Sequence, residues 1–568
     1  MGHNQIRIAL LAKGYFPKEL PAVFTTSDFG THSAEILSEW KVGAVFSTDT
    51  KSLGKTSEKK IRRNAYTYKI WDAEAEIISK PKKGYERRNI HITHPIPQAL
   101  LIHELSNNWK AVQKWLCRQT FSEDEIRVSS QYERSIKGIN FPIHGAKKAY
   151  LEATSDWVVK TDISRFYPTI YTHSISWAAY GKTRVKQEIN KYKGSLADRI
   201  DLLVRSCNRN QTIGIPIGPE SSRIIAEVIS SRIDTEFHSR CRHIPRECID
   251  RLQDDWFVGV DSLEKAEKVL SIISSVYRDY GLEINGSKTS IESLVASKTT
   301  SWIAEIGAFL SHRPGQLNSV RLREFLQLCL RLQTEFRSEP VVSYALSVIE
   351  SSLSARSEVE ILESFLLKAA AISPMSMDRV CRIFLNLQHR TKALSKQRVT
   401  SRFTTLAERY MERGHSFEVI WLLYTLRGLK CPLSSKVISD AAETTASSSL
   451  GLVLLDMQSK GLCIRSLPKA EWENSITDDR VRSDWIWLLA YEGFRHGWLN
   501  DKKGLMAKSF FKPMASRNVV FYDPKKNVQK SEKIVKAVRG ASVRNAFAVA
   551  KMFETLRGLN NFTISEGY

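Results

Sequence analysis

Hydrophobic and polar positions alternate along this chain in two regimes. Between Pro95 and Cys117 the apolar residues Leu100, Leu101, Leu105, Trp109, Val112 and Trp115 recur at helical spacing. That pattern predicts one amphipathic helix beginning after His94-Pro-Ile-Pro97, because proline suits a first helical turn. Between Asp156 and Asp261 the period shortens. Trp157-Val-Val-Lys-Thr161 reads as a buried strand ending at Asp162, and Ile249 to Gln253 with Trp256 to Val260 read as two strands meeting at Asp254-Asp255. The result is a hairpin with acids at its tip.

After about Ser311 the strand signals fade. Amphipathic segments follow one another: Val320 to Phe336, Val342 to Leu353, Val359 to Ala371, Met377 to His389, Val399 to Arg413, Phe417 to Leu429 and Trp485 to Trp498. Short Ser/Pro/Gly breaks separate them, which fits stacked helix pairs of the solenoid kind or irregular helical packing; no fixed sequence period is present. The expected fold class is α/β followed by all-α. The first 80 or so residues are mixed. An aromatic and proline-rich stretch, Lys13 to Pro21, precedes a Ser/Thr-rich region and a basic tract from Lys55 to Arg63, read as an ordered element followed by exposed basic surface.

At 568 residues the chain exceeds one compact core, so two or more domains are expected. Lysine plus arginine (84) outnumber aspartate plus glutamate (61), a net charge of +23. Such an excess suits a protein that handles phosphate polymers, with acidic protein partners and plain solubility as the competing readings. The eight cysteines contain no C-x-x-C pair, which argues against a disulfide scaffold or zinc ribbon and suits a reducing cytoplasm. His238, Cys241, His243 and Cys248 cluster without zinc-knuckle spacing, so a connecting loop is expected there. No apolar run approaches the roughly 20 residues of a membrane span, and MGHNQI is neither a signal peptide nor a myristoylation site, so the expected location is the cytoplasm.

Phosphoryl transfer to a growing chain uses two divalent cations about 3.5–4 Å apart, held by carboxylates on rigid elements. Asp162 at a strand end and Asp254-Asp255 at a hairpin tip supply such a set if the strands are neighbours. An adjacent acid pair alone is usually a solvated surface feature. Here Arg251-Leu-Gln-Asp-Asp-Trp-Phe-Val-Gly259 puts apolar residues on both sides of the acids. Like charges on a half-buried ribbon are costly unless cations neutralise them.

Lys160-Thr-Asp-Ile-Ser-Arg-Phe-Tyr-Pro-Thr-Ile-Tyr-Thr-His173 resembles motif A of reverse transcriptases, and its Phe-Tyr-Pro-x-Ile-Tyr-Thr-His run resembles that of the bacterial abortive-infection and defence-associated members. Gly214-Ile-Pro-Ile-Gly-Pro-Glu-Ser-Ser-Arg223 is similar to their motif B, and Gly281-Leu-Glu-Ile-Asn-Gly-Ser-Lys288 to motif D. The opening, Gly14-Tyr-Phe-Pro-Lys-Glu-Leu-Pro21 with Phe24, and the late segment Asn518-Val-Val-Phe-Tyr-Asp523 extend the resemblance over nearly the whole chain. One departure stands out. The usual Tyr-x-Asp-Asp is Leu252-Gln253-Asp254-Asp255, with leucine where an aromatic supports the primer end.

The resemblance implies right-hand polymerase fingers and palm over residues 1–310 and a HEAT-like helical domain over 311–568 in place of a thumb. It implies Asp162, Asp254 and Asp255 as ligands of two Mg²⁺ ions, with Mn²⁺ as the alternative, and Lys288 as the residue that protonates or neutralises departing pyrophosphate. Tyr167 would exclude a 2′-hydroxyl; Gly214, Pro216 and Gly218 would shape the turn at the nascent base pair. Arg134, Lys147 and Lys148, ahead of motif A, would meet the triphosphate. The implied activity is DNA synthesis from dNTPs in antiphage defence by a homo-oligomer, without a template and from a protein hydroxyl in some members. An RNA-templated enzyme with a bound noncoding RNA and a silent nucleic-acid-binding scaffold are the alternatives. The Gly281 to Thr289 segment is no phosphate loop, because Ser287 separates Gly286 from Lys288.

Overall fold

The structure, a computed structural model, describes residues 2–40, 72–82, 84–118, 120–294, 302–311, 319–337, 339–352, 358–435, 438, 447–508 and 510–526. The basic tract Lys55 to Arg63 lies outside the described residues.

Two small sheets organise the first half. The strands β1 (Glu76–Pro81) and β2 (Arg87–Ile92) form an antiparallel hairpin, with Lys80 opposite Arg88. Four further strands, β3 (Trp157–Thr161), β4 (Ile249–Leu252), β5 (Asp255–Val260) and β6 (Ser290–Ser293), make an antiparallel sheet in the order β4-β5-β3-β6. Side chains alternate across it as strand geometry demands. Val159, Trp256 and Val258 face the main core, where the Trp256 indole N–H donates to the Tyr277 hydroxyl at 2.7 Å. Val158 and Phe257 face the other way, onto Leu151 of the helix Phe141–Thr154.

The acid hairpin matches the sequence reading to within a residue at its tip, and β1, β2 and β6 were not anticipated. The single helix expected over Pro95 to Cys117 is two, Pro95–Asn107 and Trp109–Leu116. Asn108 breaks it: its side-chain amide turns back to the Glu104 carbonyl at 3.0 Å and competes with helical continuation. His94 caps the first of these, its ring accepting from the Ile96 N–H at 3.3 Å.

The second half is helical, with Ser319–Glu335, Val341–Ser352, Val359–Ile372, Met377–Thr391, Lys396–Glu412, Ser416–Leu429 and Ile486–Arg495 close to the expected segments. An additional helix, Ser448–Ser459, was not foreseen. Successive helices pack on one another, and Ser416–Leu429 lies at their centre. One continuous set of buried apolar residues runs from Ile6 to Tyr522. The opening and the end of the described chain meet directly: the Thr25 N–H donates to the Phe521 carbonyl at 2.9 Å, the Asp523 N–H to the Val23 carbonyl at 2.7 Å, and the Phe24 and Tyr522 rings lie 5.1 Å apart, edge to face. Among the described residues no helix is long and apolar enough to cross a membrane.

Candidate active site

Register brings the acids together. Thr161 on β3 lies opposite Trp256 on β5, so the next cross-strand step sets Asp162 against Asp255. Asp254 occupies the tip beside them, after Gln253 in the left-handed region at φ 58°. Asp162 is buried, and both tip acids are partly buried. Burial, then the charges of Asp255 and Asp162, drive the Asp254 carboxyl well above the usual range, and Asp254 lies within hydrogen-bonding reach of Asp162. Burial and the Asp162 charge push Asp255 up to about 7, against the opposing charges of Lys288, Lys82 and Lys148. Three carboxylates so placed require shared protons or cations.

Lys288 answers part of that demand. Its ammonium binds the Asp162 carboxylate, and although burial works against the charge, this bond and the three acids raise its pKa. Backbone contacts place it: the Asn285 N–H donates to the Asp162 carbonyl at 2.7 Å and the Ser164 N–H to the Glu283 carbonyl at 2.8 Å. Among the described residues no group of three His, Cys, Asp or Glu side chains is preassembled as a metal cage. The donor set nonetheless suits a hard divalent ion, being all carboxylate oxygen on strand ends.

Tyr167 is buried in the short helix Phe166–Thr169. Burial raises its pKa, the nearby Arg223 charge opposes the rise, and the Asp254 charge adds to it. Motif B is laced to this helix: the Ile215 N–H donates to the Tyr167 carbonyl at 3.0 Å and the Gly214 N–H to the Ile170 carbonyl at 2.8 Å. Gly214 has φ +87°, and an added Cβ would sit 3.1 Å from the Pro168 carbonyl oxygen. Phe166, Tyr167, Arg223, Glu227 and Gln253 line a cleft that also touches Asp124.

The three cations read ahead of motif A have other immediate partners. Arg134 pairs with Glu220 at 3.2 Å, and Lys147 with Glu123 at 2.7 Å. Lys148 lies beneath the sheet with its ammonium 4.4 Å from the Phe257 ring centre, its pKa lowered to about 8 chiefly by burial. The Lys148 charge also acts on Asp255.

Three groups escaped the sequence reading. Lys82, at the end of β1, sends its charge to Asp255, and Arg88 on β2 sends its own to Tyr167. Arg251 is fully buried, bonding Asp234 at 2.8 Å and Glu227 at 2.6 Å while donating to the Gln253 carbonyl at 2.7 Å. It pins the acid tip from the core side. The available signal was an arginine and a mid-helix aspartate at positions the apolar pattern marks as buried.

Residues 101–324 match a family model described as reverse transcriptase (RNA-dependent DNA polymerase). Apo telomerase from Candida tropicalis is a similar solved structure, at 11% identity and a TM-score of 0.29, over 71% of this chain and 72% of that one. The search of curated proteins gave no match. The chain thus carries a reverse-transcriptase domain and is a nucleotidyltransferase of the RNA-directed DNA polymerase type.

Proposed function

We propose that this chain polymerises dNTPs into DNA in bacterial antiphage defence of the abortive-infection kind, without a template and from a protein hydroxyl. Residues 1–310 serve as fingers and palm, and residues 311–568 as a helical domain in the place of a thumb. The observation that carries the polymerase reading is the meeting of Asp162 with Asp254 and Asp255 on neighbouring strand ends, where their charges penalise one another. The defence role and the mode of priming rest on the resemblance of motif A and of the opening.

Asp162, Asp254 and Asp255 would hold two Mg²⁺ ions, or Mn²⁺; when bound, such ions activate the attacking hydroxyl and neutralise triphosphate charge. Lys288, whose proton is held tightly by the surrounding acids, suits neutralising pyrophosphate better than donating to it. Tyr167 closes the floor under the sugar and favours deoxynucleotides. Gly214, Pro216 and Gly218 let backbone approach the new base pair, since glycine carries no side chain to obstruct it. Lys82 and Arg88 meet the triphosphate from the hairpin side.

Purified protein incubated with labelled dNTPs and Mg²⁺, with and without prior RNA digestion, tests this reading. Product that survives complete RNA removal and shifts on protease treatment supports untemplated, protein-primed synthesis. Product that vanishes with the RNA favours an RNA-templated enzyme. A silent scaffold is the reading favoured by the Lys288 ammonium seated on Asp162 and by Leu252 at the aromatic position. Phage protection by a folded Asp254→Asn protein would support that scaffold and overturn catalysis.

A further inference from the structure

The β1–β2 hairpin stands between the reacting acids and the helical half, and it is fastened on both sides. Toward the palm, the His91 N–H donates to the Ile217 carbonyl at 2.7 Å, and the Ile217 N–H donates to the His91 ring at 3.1 Å, so β2 runs along motif B. Toward the helices, Arg87 grips Glu418 with two bonds, at 2.8 and 2.7 Å, while its other donors bind the Ser79 hydroxyl at 2.7 Å and the Ser79 carbonyl at 2.6 Å. One guanidinium therefore ties β2, β1 and the helix Ser416–Leu429 together. A planar fork specifies direction as well as distance, which a lysine or an apolar contact would not.

A second fastening lies at the other end of β1. The buried Glu76 carboxylate accepts from the Ser447 hydroxyl at 2.6 Å, and from the Ser449 N–H and hydroxyl at 3.0 and 3.1 Å, at the first turn of the helix Ser448–Ser459. In the hairpin so held, Lys82 follows β1 and pairs with Glu86 at 3.4 Å, and the second strand is bonded through His91 to Ile217 of motif B.

We propose that the helical half is the positioning element of the nucleotide-facing hairpin, with Glu418 and Arg87 as positioning residues that set where Lys82 and Arg88 meet the triphosphate. This rests on the polymerase reading above. Glu418 has no side-chain exposure, so once Arg87 is removed its charge is left buried without that fork, and β2 loses that guanidinium tie to the helix.

The test compares wild type with Glu418→Gln, Arg87→Gln, their double variant, and Arg87→Lys, which keeps the charge but not the fork. Arg331→Gln, which breaks an exposed ion pair with Glu305 elsewhere in the helical half, is the control. Two readouts are taken: KM and kcat for dNTP incorporation, and amide hydrogen exchange of residues 76–92 in the full chain. Each single variant should raise KM on the order of tenfold while kcat changes far less, as misplacement of a binding group would. The double variant should be no worse than either single, and exchange in 76–92 should quicken while β3 stays protected. Unchanged KM together with unchanged exchange at 76–92 overturns the proposal, as does an equal effect in Arg331→Gln. If wild type incorporates no nucleotide, the polymerase reading fails, and the hydrogen exchange alone still decides whether Glu418 and Arg87 hold the hairpin.

Discussion

His144 offers a stability measurement whose sign and size follow from geometry. It is buried in the helix Phe141–Thr154, with one ring nitrogen 3.0 Å from Asp250 on β4 and the other 2.9 Å from Asp124, which lines the cleft. Burial alone would discharge the imidazole, but the bonds to both aspartates and their charges win, raising its pKa from 6.5 to about 9. Lys147 also lies 3.9 Å from Asp250, and the Arg223 charge acts on Asp124. A pKa raised in the folded state stabilises fully below the unfolded value, and that contribution is lost as pH rises through 9. Raising the imidazole pKa from 6.5 to about 9 corresponds to about 3 kcal/mol.

His144→Gln removes the titrating group and leaves two carboxylates with a neutral partner. Denaturant midpoints of wild type and variant, measured from pH 6 to pH 10 in chelator, should show the variant less stable by about 3 kcal/mol at pH 6. The gap should close as pH passes 9. Taking the difference between the two proteins cancels other groups that titrate in this window, Lys148 among them. A gap that stays constant with pH would refute the imidazolium clamp, and a variant as stable as wild type at pH 6 would show that the aspartates do not need it.

Further outcomes follow from the same contacts. Asp254→Asn removes one of three crowded acids, so it should raise metal-free stability by about 1–2 kcal/mol while lowering incorporation at least ~10³-fold; melting in chelator and a labelled-dNTP assay check both halves. Arg251→Met strands the buried Asp234 carboxylate, takes a partner from the partly buried Glu227 and should cost about 3–5 kcal/mol by denaturant titration, a neutral result counting against the clamp on the Gln253 carbonyl. Gly218→Ala places a Cβ 2.6 Å from the Pro17 ring at φ +131°, and a loss of about 1–3 kcal/mol in thermal unfolding is expected.

The parts of the site legible in the sequence were those whose signal is local. Val158, Val159, Phe257 and Val258 announce strands whatever surrounds them, and the acids mark where those strands end. The hairpin Glu76–Ile92 was illegible because Lys80, Arg87, Arg88 and His91 make it read as polar surface. Its partners lie far away, Glu418 being 331 residues from Arg87. The ion pairs of Arg134 and Lys147 were illegible for a related reason: their cationic character is local, but Glu220 and Glu123, which engage them, are chosen by the fold. The helix Ser448–Ser459 escaped because every residue from Ser448 to Met457 is buried, and a helix covered on all sides has no apolar stripe set off against a polar face.

These observations bear on what the helical half does. A polymerase thumb that closes over product needs a hinge with few contacts across it. Here the two halves are joined at separated places: Thr25 and Asp523 join the opening of the chain to its late segment, His94 faces the Val481 carbonyl at 3.1 Å, and Arg87 and Glu76 fasten the hairpin. Phe16 and Phe29 add aromatic packing against Phe521 at 5.8 and 5.4 Å. A swinging motion would have to break hydrogen-bonded, buried contacts at all of them together, each costly to leave unmade. The two segments most distant in sequence that carry the family resemblance, Gly14 to Phe24 and Asn518 to Asp523, are the ones that close this ring. They meet through the Thr25 N–H on the Phe521 carbonyl, the Asp523 N–H on the Val23 carbonyl and the edge-to-face pair of Phe24 and Tyr522, so the late segment is bonded back onto the opening.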